Sequence, residues 1–309
     1  MTTVTATVSA HERVLHPSTT MGAVTLHVGD LDGMTEFYAS ALALDVQVES
    51  AQGRVAHKVL GRGSLPLVRL VRTPGLPLVD PRKPGLFHTA FLLEDQASLA
   101  ATAFRASRHP RGRFVGSSDH LVSEAFYFTD PEGNGIELYR DRDRKEWVHR
   151  NGQIEMATAF LDPRAYLEQH LRSEDVEAGS ARAAAVGHVH LQVGDLAVAR
   201  EFYIDVLGFE LTQTGYPGAL FASAGGYHHH IAMNTWNSRG AGPRAASLGL
   251  GDVSIAVPDQ QELDAVGARL RARSLPFSSD GRSLTTADPW GTSVTLALPD
   301  PSAEEVAER

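Results

Sequence analysis

The chain repeats itself, and this limits its possible folds more than any other feature of the sequence. Gly22-Ala-Val-Thr-Leu-His27-Val-Gly-Asp30-Leu31, followed by Glu36-Phe37-Tyr38 and Leu42, matches Gly187-His-Val-His-Leu-Gln192-Val-Gly-Asp195-Leu196, followed by Glu201-Phe202-Tyr203 and Leu207. The offset is a constant 165 residues. A fixed-period match of this kind has to be read before local propensity, because each copy is one structural unit. In each copy, apolar residues alternate as in a strand, then Gly-Asp-Leu opens a helix with Phe-Tyr on its inner face. Asp30 and Asp195 are read as N-caps, since a carboxylate there accepts the free amides of the first turn.

A second pair follows the first. Phe87-His88-Thr-Ala-Phe-Leu-Leu-Glu-Asp95 parallels Gly251-Asp252-Val-Ser-Ile-Ala-Val-Pro-Asp259. Each leads into a helix, expected over 97–107 and 262–272. Each then ends in an Asp-Pro-x-Gly turn and a last strand, carrying Glu137 in one copy and Thr295 in the other. Pro presets φ in such a turn and Gly supplies the positive φ. The chain thus reads as four strand–helix–strands modules starting near Ala23, Phe87, His188 and Asp252. They group as an N-terminal domain 21–143 and a C-terminal domain 184–299, with a linker 144–183 between them. At the end of the linker, Glu174–Ala185 is charged and Ala-rich, a helix or exposed connector. Residues 1–20 read as a loose polar lead-in, and the acidic tail after Pro299 as solvated.

Histidine is concentrated where the third module begins. His188, His190, His228, His229 and His230 are five of the fourteen in the chain. Strand alternation puts His188 and His190 on one face, and His228 and His230 on one face of a later strand. Buried imidazoles must find partners, and neutral imidazole is both a common metal ligand and a proton carrier near neutral pH. The sequence contains no cysteine, which excludes disulfides, thiolate metal sites and cysteine nucleophiles. A metal here must be held by His, Asp or Glu, a set that favours Fe(II) or Mn(II), with Zn also allowed. The net charge of −9 argues against nucleic acid or anionic membrane as a partner. With no run of 18 apolar residues and no signal-like N-terminus, the expected location is the cytoplasm.

Taken together and in order, these motifs resemble the vicinal oxygen chelate (glyoxalase/bleomycin resistance/dioxygenase) superfamily. Gly-His-Val-His-Leu, Gly-Gly-Tyr-His-His-His, Phe-His-Thr-Ala, His120-Leu-Val-Ser123 with Tyr127, and Asp-Pro-Glu-Gly-Asn-Gly-Ile-Glu are most similar to its catechol 2,3-dioxygenase-like, type I extradiol members. The resemblance covers residues 21–298. It implies an α+β fold of four βαβββ modules forming two open barrels. It implies Fe(II), with Mn(II) possible, held by two histidines and a glutamate. These map to His188 on the opening strand of one module, and to His88 and Glu137 on the first and last strands of its partner. The corresponding positions in the other modules are Ala23, Asp252 and Thr295. No sequential pair of modules carries the whole triad. We therefore expect modules 2 and 3 to pair, and 1 with 4, with metal only in the 2–3 barrel. The alternative keeps sequential pairing and completes the site with His27.

The same resemblance implies roles for three further residues. His230 would be the acid–base group, Tyr127 would hydrogen-bond a substrate oxygen, and His120 would stabilise charge in the pocket. His190, His228 and His229 are expected to line the pocket or the strand surface. The implied activity is ring cleavage of a catechol-type diol by O₂, in a homo-oligomer. The alternatives are another metal-dependent superfamily member, an isomerase or thiol transferase, or a non-catalytic small-molecule binder.

Overall fold

The computed structural model describes residues 14–51, 55–299 and 302–308. The first module is β1 (Thr20–Val28), α1 (Leu31–Leu42), β2 (Asp45–Ser50), β3 (His57–Arg62) and β4 (Leu65–Arg72). The second is β5 (Gly85–Leu93), α2 (Gln96–Arg108), β6 (Arg113–Asp119), β7 (Ser123–Thr129) and β8 (Gly135–Asp141). A connecting segment holds β9 (His149–Arg150), β10 (Gln153–Ile154), β11 (Ala159–Phe160), α3 (Pro163–His170) and α4 (Ser173–Ala178). The third module is β12 (Ala184–Gln192), α5 (Leu196–Arg200, continued by wider π turns over Glu201–Val206), β13 (Glu210–Gln213), β14 (Ala219–Ser223) and β15 (Ile231–Asn234). The fourth is β16 (Gly249–Ala256), α6 (Gln260–Ala272), β17 (Phe277–Ser279), β18 (Ser283–Ala287) and β19 (Ser293–Ala297), after which comes α7 (Ala303–Glu308). Each module is thus βαβββ.

The same local chemistry starts all four module helices. Asp30 accepts from the Gly33 amide, Asp95 from Ser98, Asp195 from Ala197 and Val198, and Asp259 from Glu262. Capping by Asp contributes about 1 kcal/mol to each helix. The Asp-Pro-x-Gly turns also recur, with Gly133 and Gly291 at φ of 90° and 86°. In each turn the Asp is buried and accepts from two turn amides and from a tyrosine on the helix of another module. These tyrosines are Tyr38 for Asp130 and Tyr203 for Asp288, both at 3.1 Å. The Tyr of the Phe-Tyr pair therefore ties module 1 to module 2, and module 3 to module 4.

The sheets join the modules differently. One sheet has eight strands in the order β17-β18-β19-β16-β1-β4-β3-β2, which are modules 4 and 1. The other has nine in the order β11-β6-β7-β8-β5-β12-β15-β14-β13, modules 2 and 3 with one strand of the connecting segment. The joining pairs are antiparallel, β1 with β16 and β5 with β12. Alternation sends Val24, Leu26, Phe91, Leu93, Val189 and Leu191 to one continuous apolar core with the helices. The opposite face of each sheet turns its other residues towards a cavity.

Two expectations about the ends of the chain change. Residues 1–13, 300–301 and 309 lie outside the described residues. Leu15, expected in a loose lead-in, is buried, and its amide donates to Gly208 O at 2.7 Å. The tail is not simply solvated, because α7 buries Val306 and Ala307 against Ala23 and Val59. Two apolar residues on one turn outweigh the acidic composition of the segment. The connecting segment is likewise built in. β11 extends the nine-stranded sheet, and Tyr166 of α3 is buried, donating to Glu124 at 3.1 Å.

Candidate metal centre

Register across the nine-stranded sheet assembles the site. His188 of β12 pairs with Ala90 of β5, Ala90 with Glu137 of β8, and Glu137 with Tyr127 of β7. His88 lies two residues before Ala90 and pairs with His190. Residues in register across neighbouring strands project from the same face. His188, Glu137, His88, His190 and Tyr127 therefore share one face, with only the small Ala90 between His188 and Glu137. Gly187 serves the same row, since a Cβ there would overlap the Tyr139 hydroxyl.

His88, Glu137 and His188 are all buried and converge. Their ligand atoms lie within 4.8 Å of one another, and among the described residues they are the one His/Asp/Glu group that could hold a metal ion. Glu137 Oε2 is 2.9 Å from His88 Nε2 and 3.1 Å from His188 Nε2. The His188 contact has hydrogen-bond geometry. His88 Nε2 is a buried nitrogen without a hydrogen-bond partner. Burial draws the His188 imidazole down to about 4, so it is neutral near pH 7. Burial alone would push the Glu137 carboxyl up, but the His188 and His88 imidazoles facing it hold it well below the usual carboxylate range.

His88 and Glu137 open onto a cavity of about 410 Å³, within the range of small-molecule sites. Phe87, Val115, Phe128, Met156, Phe221 and Trp236 make its walls largely apolar. Tyr127, His120, His190 and His229 also face it. His188 lies behind this wall, its ring centroid 4.0 Å from that of His229. His120 and Tyr127 are joined as a pair. The Ala157 carbonyl accepts from His120 Nδ1 at 2.7 Å, so neutral His120 accepts the Tyr127 hydroxyl proton at Nε2, 2.6 Å away. Burial, and then the Glu137 charge, push the Tyr127 hydroxyl well up, so it stays protonated.

The structure departs from expectation at the triple histidine. β15 begins only at Ile231, so residues 227–230 form a bend rather than a strand, and simple alternation does not place them. His230 does not line the cavity. Its Nδ1 accepts from the Ala224 amide at 3.2 Å, and its ring lies by Tyr227 and Phe209. His229 is the one that reaches the cavity, beside His188. His228 faces Asp141 instead. His27 is excluded from the triad, because it sits on β1 in the other sheet and is held by Thr73 at 2.9 Å. That sheet's cavity contains Ala23, Asp252 and Thr295, with Asp252 accepting from the Thr295 hydroxyl at 2.8 Å. Sequence reading missed Met156, Ala157 and Thr158, which belong to the connecting segment and enter the cavity wall only through tertiary packing. It also missed Asp141, although its position four residues beyond Glu137 on the same strand face was a signal.

Burial also pulls His230 down to about 3. Its folded pKa lies below the unfolded 6.5, so the stability it confers is present above pH 6.5 and is lost as pH falls towards 3. At pH 4.5 this one group should cost about 2–3 kcal/mol relative to pH 7. In the metal-free protein, His230→Gln should therefore narrow the gap in melting temperature between pH 7 and pH 4.5. An unchanged gap would contradict the assignment.

A family model for the Glyoxalase/Bleomycin resistance protein/Dioxygenase superfamily matches residues 185–294. The catechol-2,3-dioxygenase of Bacillus subtilis (strain 168) is 36% identical over 290 residues, spanning 92% of this chain and 99% of that protein. The chain belongs to the catechol 2,3-dioxygenase-like branch of this superfamily. Two solved structures share the fold. Glyoxalase I from Zea mays aligns with a TM-score of 0.57 at 16% identity, over 94% of this chain and 95% of that one. A putative dioxygenase from Bacillus subtilis subsp. subtilis str. 168 aligns with a TM-score of 0.59 at 14% identity, over 92% and 87%.

The site of this superfamily member fits a divalent metal on its own geometry. Two buried imidazoles and one carboxylate converge, and His88 Nε2 is a buried polar atom with no hydrogen-bond partner. Among the described residues no helix is long and apolar enough to cross a membrane.

Proposed function

We propose that the protein is an extradiol dioxygenase that opens a catechol-type ring beside its paired hydroxyls, using O₂ and Fe(II), with Mn(II) as the other candidate ion. The observation that carries this reading is the convergence of His88, Glu137 and His188, with His88 and Glu137 opening onto a largely apolar cavity and His188 directly behind its wall. His88, Glu137 and His188 would hold the metal, which supplies a common binding point for the diol and O₂ and so removes much of the entropic barrier between them.

The chain's own residues supply the rest. Phe87, Phe221 and Trp236 hold the flat ring and exclude water. His229 would take the proton that a diol hydroxyl must lose, and burial, with His188 and His228 beside it, lowers its pKa well below the usual range, so the resting ring is neutral and has a lone pair to offer. His120 accepts a hydrogen bond from the Tyr127 hydroxyl and keeps it oriented, and the Tyr127 oxygen is left to accept from a substrate hydroxyl. An isomerase or thiol transferase of this fold would be expected to add a second carboxylate to the metal. Among the described residues the group contains one.

Loading with Fe(II) under anaerobic conditions, followed by catechol and air, should give a yellow ring-opened product and about one metal per chain. If a panel of substituted catechols gives no colour, the reading fails. Tyr127→Phe should lower kcat by roughly tenfold to a hundredfold with metal content unchanged. A wild-type kcat in that variant would remove Tyr127 from the machinery.

A further inference from the structure

A hydrogen-bonded line leaves the cavity behind His229 and ends at the protein surface. His229 Nδ1 is 2.7 Å from His228 Nδ1, and His228 Nε2 is 2.8 Å from Asp141 Oδ1. His228 is fully buried, whereas the Asp141 side chain is 23% exposed. The other oxygen of Asp141 accepts from the Tyr227 hydroxyl at 2.8 Å, and that hydroxyl is 2.7 Å from Tyr139 OH. Asp141 is thus clamped at both oxygens, and it lies on β8 four residues beyond Glu137.

With both imidazoles neutral, donor and acceptor arithmetic orders the protons. A carboxylate only accepts, so His228 Nε2 carries the hydrogen given to Asp141. A neutral His228 then has only a lone pair at Nδ1. The short contact between the two Nδ1 atoms requires one donor, and that donor must be His229. Neutral His229 is left with its lone pair on Nε2, the nitrogen not engaged by His228, on a ring that lines the cavity. Were the tautomers reversed, two Nδ1 lone pairs would face each other at 2.7 Å.

We propose that Asp141 and His228 are positioning residues which hold His229 in its Nδ1–H tautomer, so that Nε2 is bare towards the bound diol. The inference rests on the reading of His229 as the proton acceptor. Neither Asp141 nor His228 touches substrate, and both act through the ring of His229.

The test reads the proton directly. Long-range nitrogen–proton NMR on the metal-free protein, with labelled histidine, should show His229 protonated at Nδ1 and bare at Nε2. In Asp141→Asn the amide can turn its NH₂ towards His228, and this pattern should be lost. In the Fe(II)-loaded enzyme the same variant should lose roughly a hundredfold in kcat, with KM for catechol and metal per chain unchanged. At position 228, Gln keeps a donor and an acceptor and Leu keeps only apolar bulk. His228→Gln should therefore retain the tautomer and more of kcat than His228→Leu, whereas a mere packing role predicts the reverse order. Wild-type His229 protonated at Nε2, or an unchanged His229 spectrum in Asp141→Asn, overturns the proposal. A wild-type protein inactive on all catechols sinks the functional reading instead, and the spectrum still decides the positioning.

Discussion

Replacing Glu137 with glutamine is expected to abolish both metal retention and ring opening while the fold survives. The carboxylate is the single anionic member of the group, and its Oε2 faces both histidine Nε2 atoms. Glutamine keeps the volume between His188 and Tyr127 but presents a neutral amide. Two imidazoles and an amide are a weak set for Fe(II), which favours at least one hard anionic oxygen. Loss of an outer partner alone costs tenfold to a hundredfold in metal affinity or activity, so loss of the anionic ligand should exceed a hundredfold in both. Metal analysis after desalting, with circular dichroism as the fold control, reads the first effect. The rate of yellow product formation reads the second. A Glu137→Gln protein that keeps its metal, or opens catechol at even a tenth of the wild-type rate, would remove Glu137 from the centre.

The second large effect concerns stability. Asp130 is buried at the turn before β8, where it accepts from the Glu132 and Asn134 amides, the Asn134 side chain and Tyr38. Asp130→Ala strands four donors in the interior at once. An unsatisfied buried donor costs about 1–3 kcal/mol, moderated where the turn relaxes to water. A loss of roughly 3 kcal/mol is expected, lowering the melting temperature by about 5–10 °C for a chain of this size. Tyr38→Phe removes only one of these bonds and should cost about 1 kcal/mol.

The pH dependence at this position has a definite sign. Burial pushes the Asp130 carboxyl up to about 6, against the hydrogen bonds that oppose it, from an unfolded value of 3.8. Its folded value is raised, so its contribution is complete below pH 3.8 and declines as pH rises through 6. Asp130→Asn, which cannot ionise, should lose that slope between pH 4 and 6. Denaturant titrations at the two pH values would show it, and equal slopes in both proteins would contradict the assignment.

Legibility in the sequence followed the range of the interactions. The four Asp N-caps and the two Asp-Pro-x-Gly turns were readable because a few neighbouring residues settle them. The alternation that put His188 and His190 on one face was readable because a strand has a period of two along its whole length, whereas His88 and Glu137 came from the resemblance to the superfamily. The triple histidine was not, since its residues bend before β15 starts and a bend has no period. His229 rather than His230 reaches the cavity for that reason.

By itself the sequence determined the four modules, their helix starts and the residue types able to bind a metal, all consequences of local sterics and hydrogen bonding. The pairing of module 2 with module 3 was expected from the resemblance beside a sequential alternative, and only the tertiary structure decided between them by laying β5 against β12, which brings His188 from one half of the chain to Glu137 in the other. The same is true of the connecting segment, which closes the cavity with Met156 and Ala157, and of Asp141, which meets His228. Such contacts join residues far apart in the chain, and they exist only once burial of the common apolar core has selected one packing of the modules.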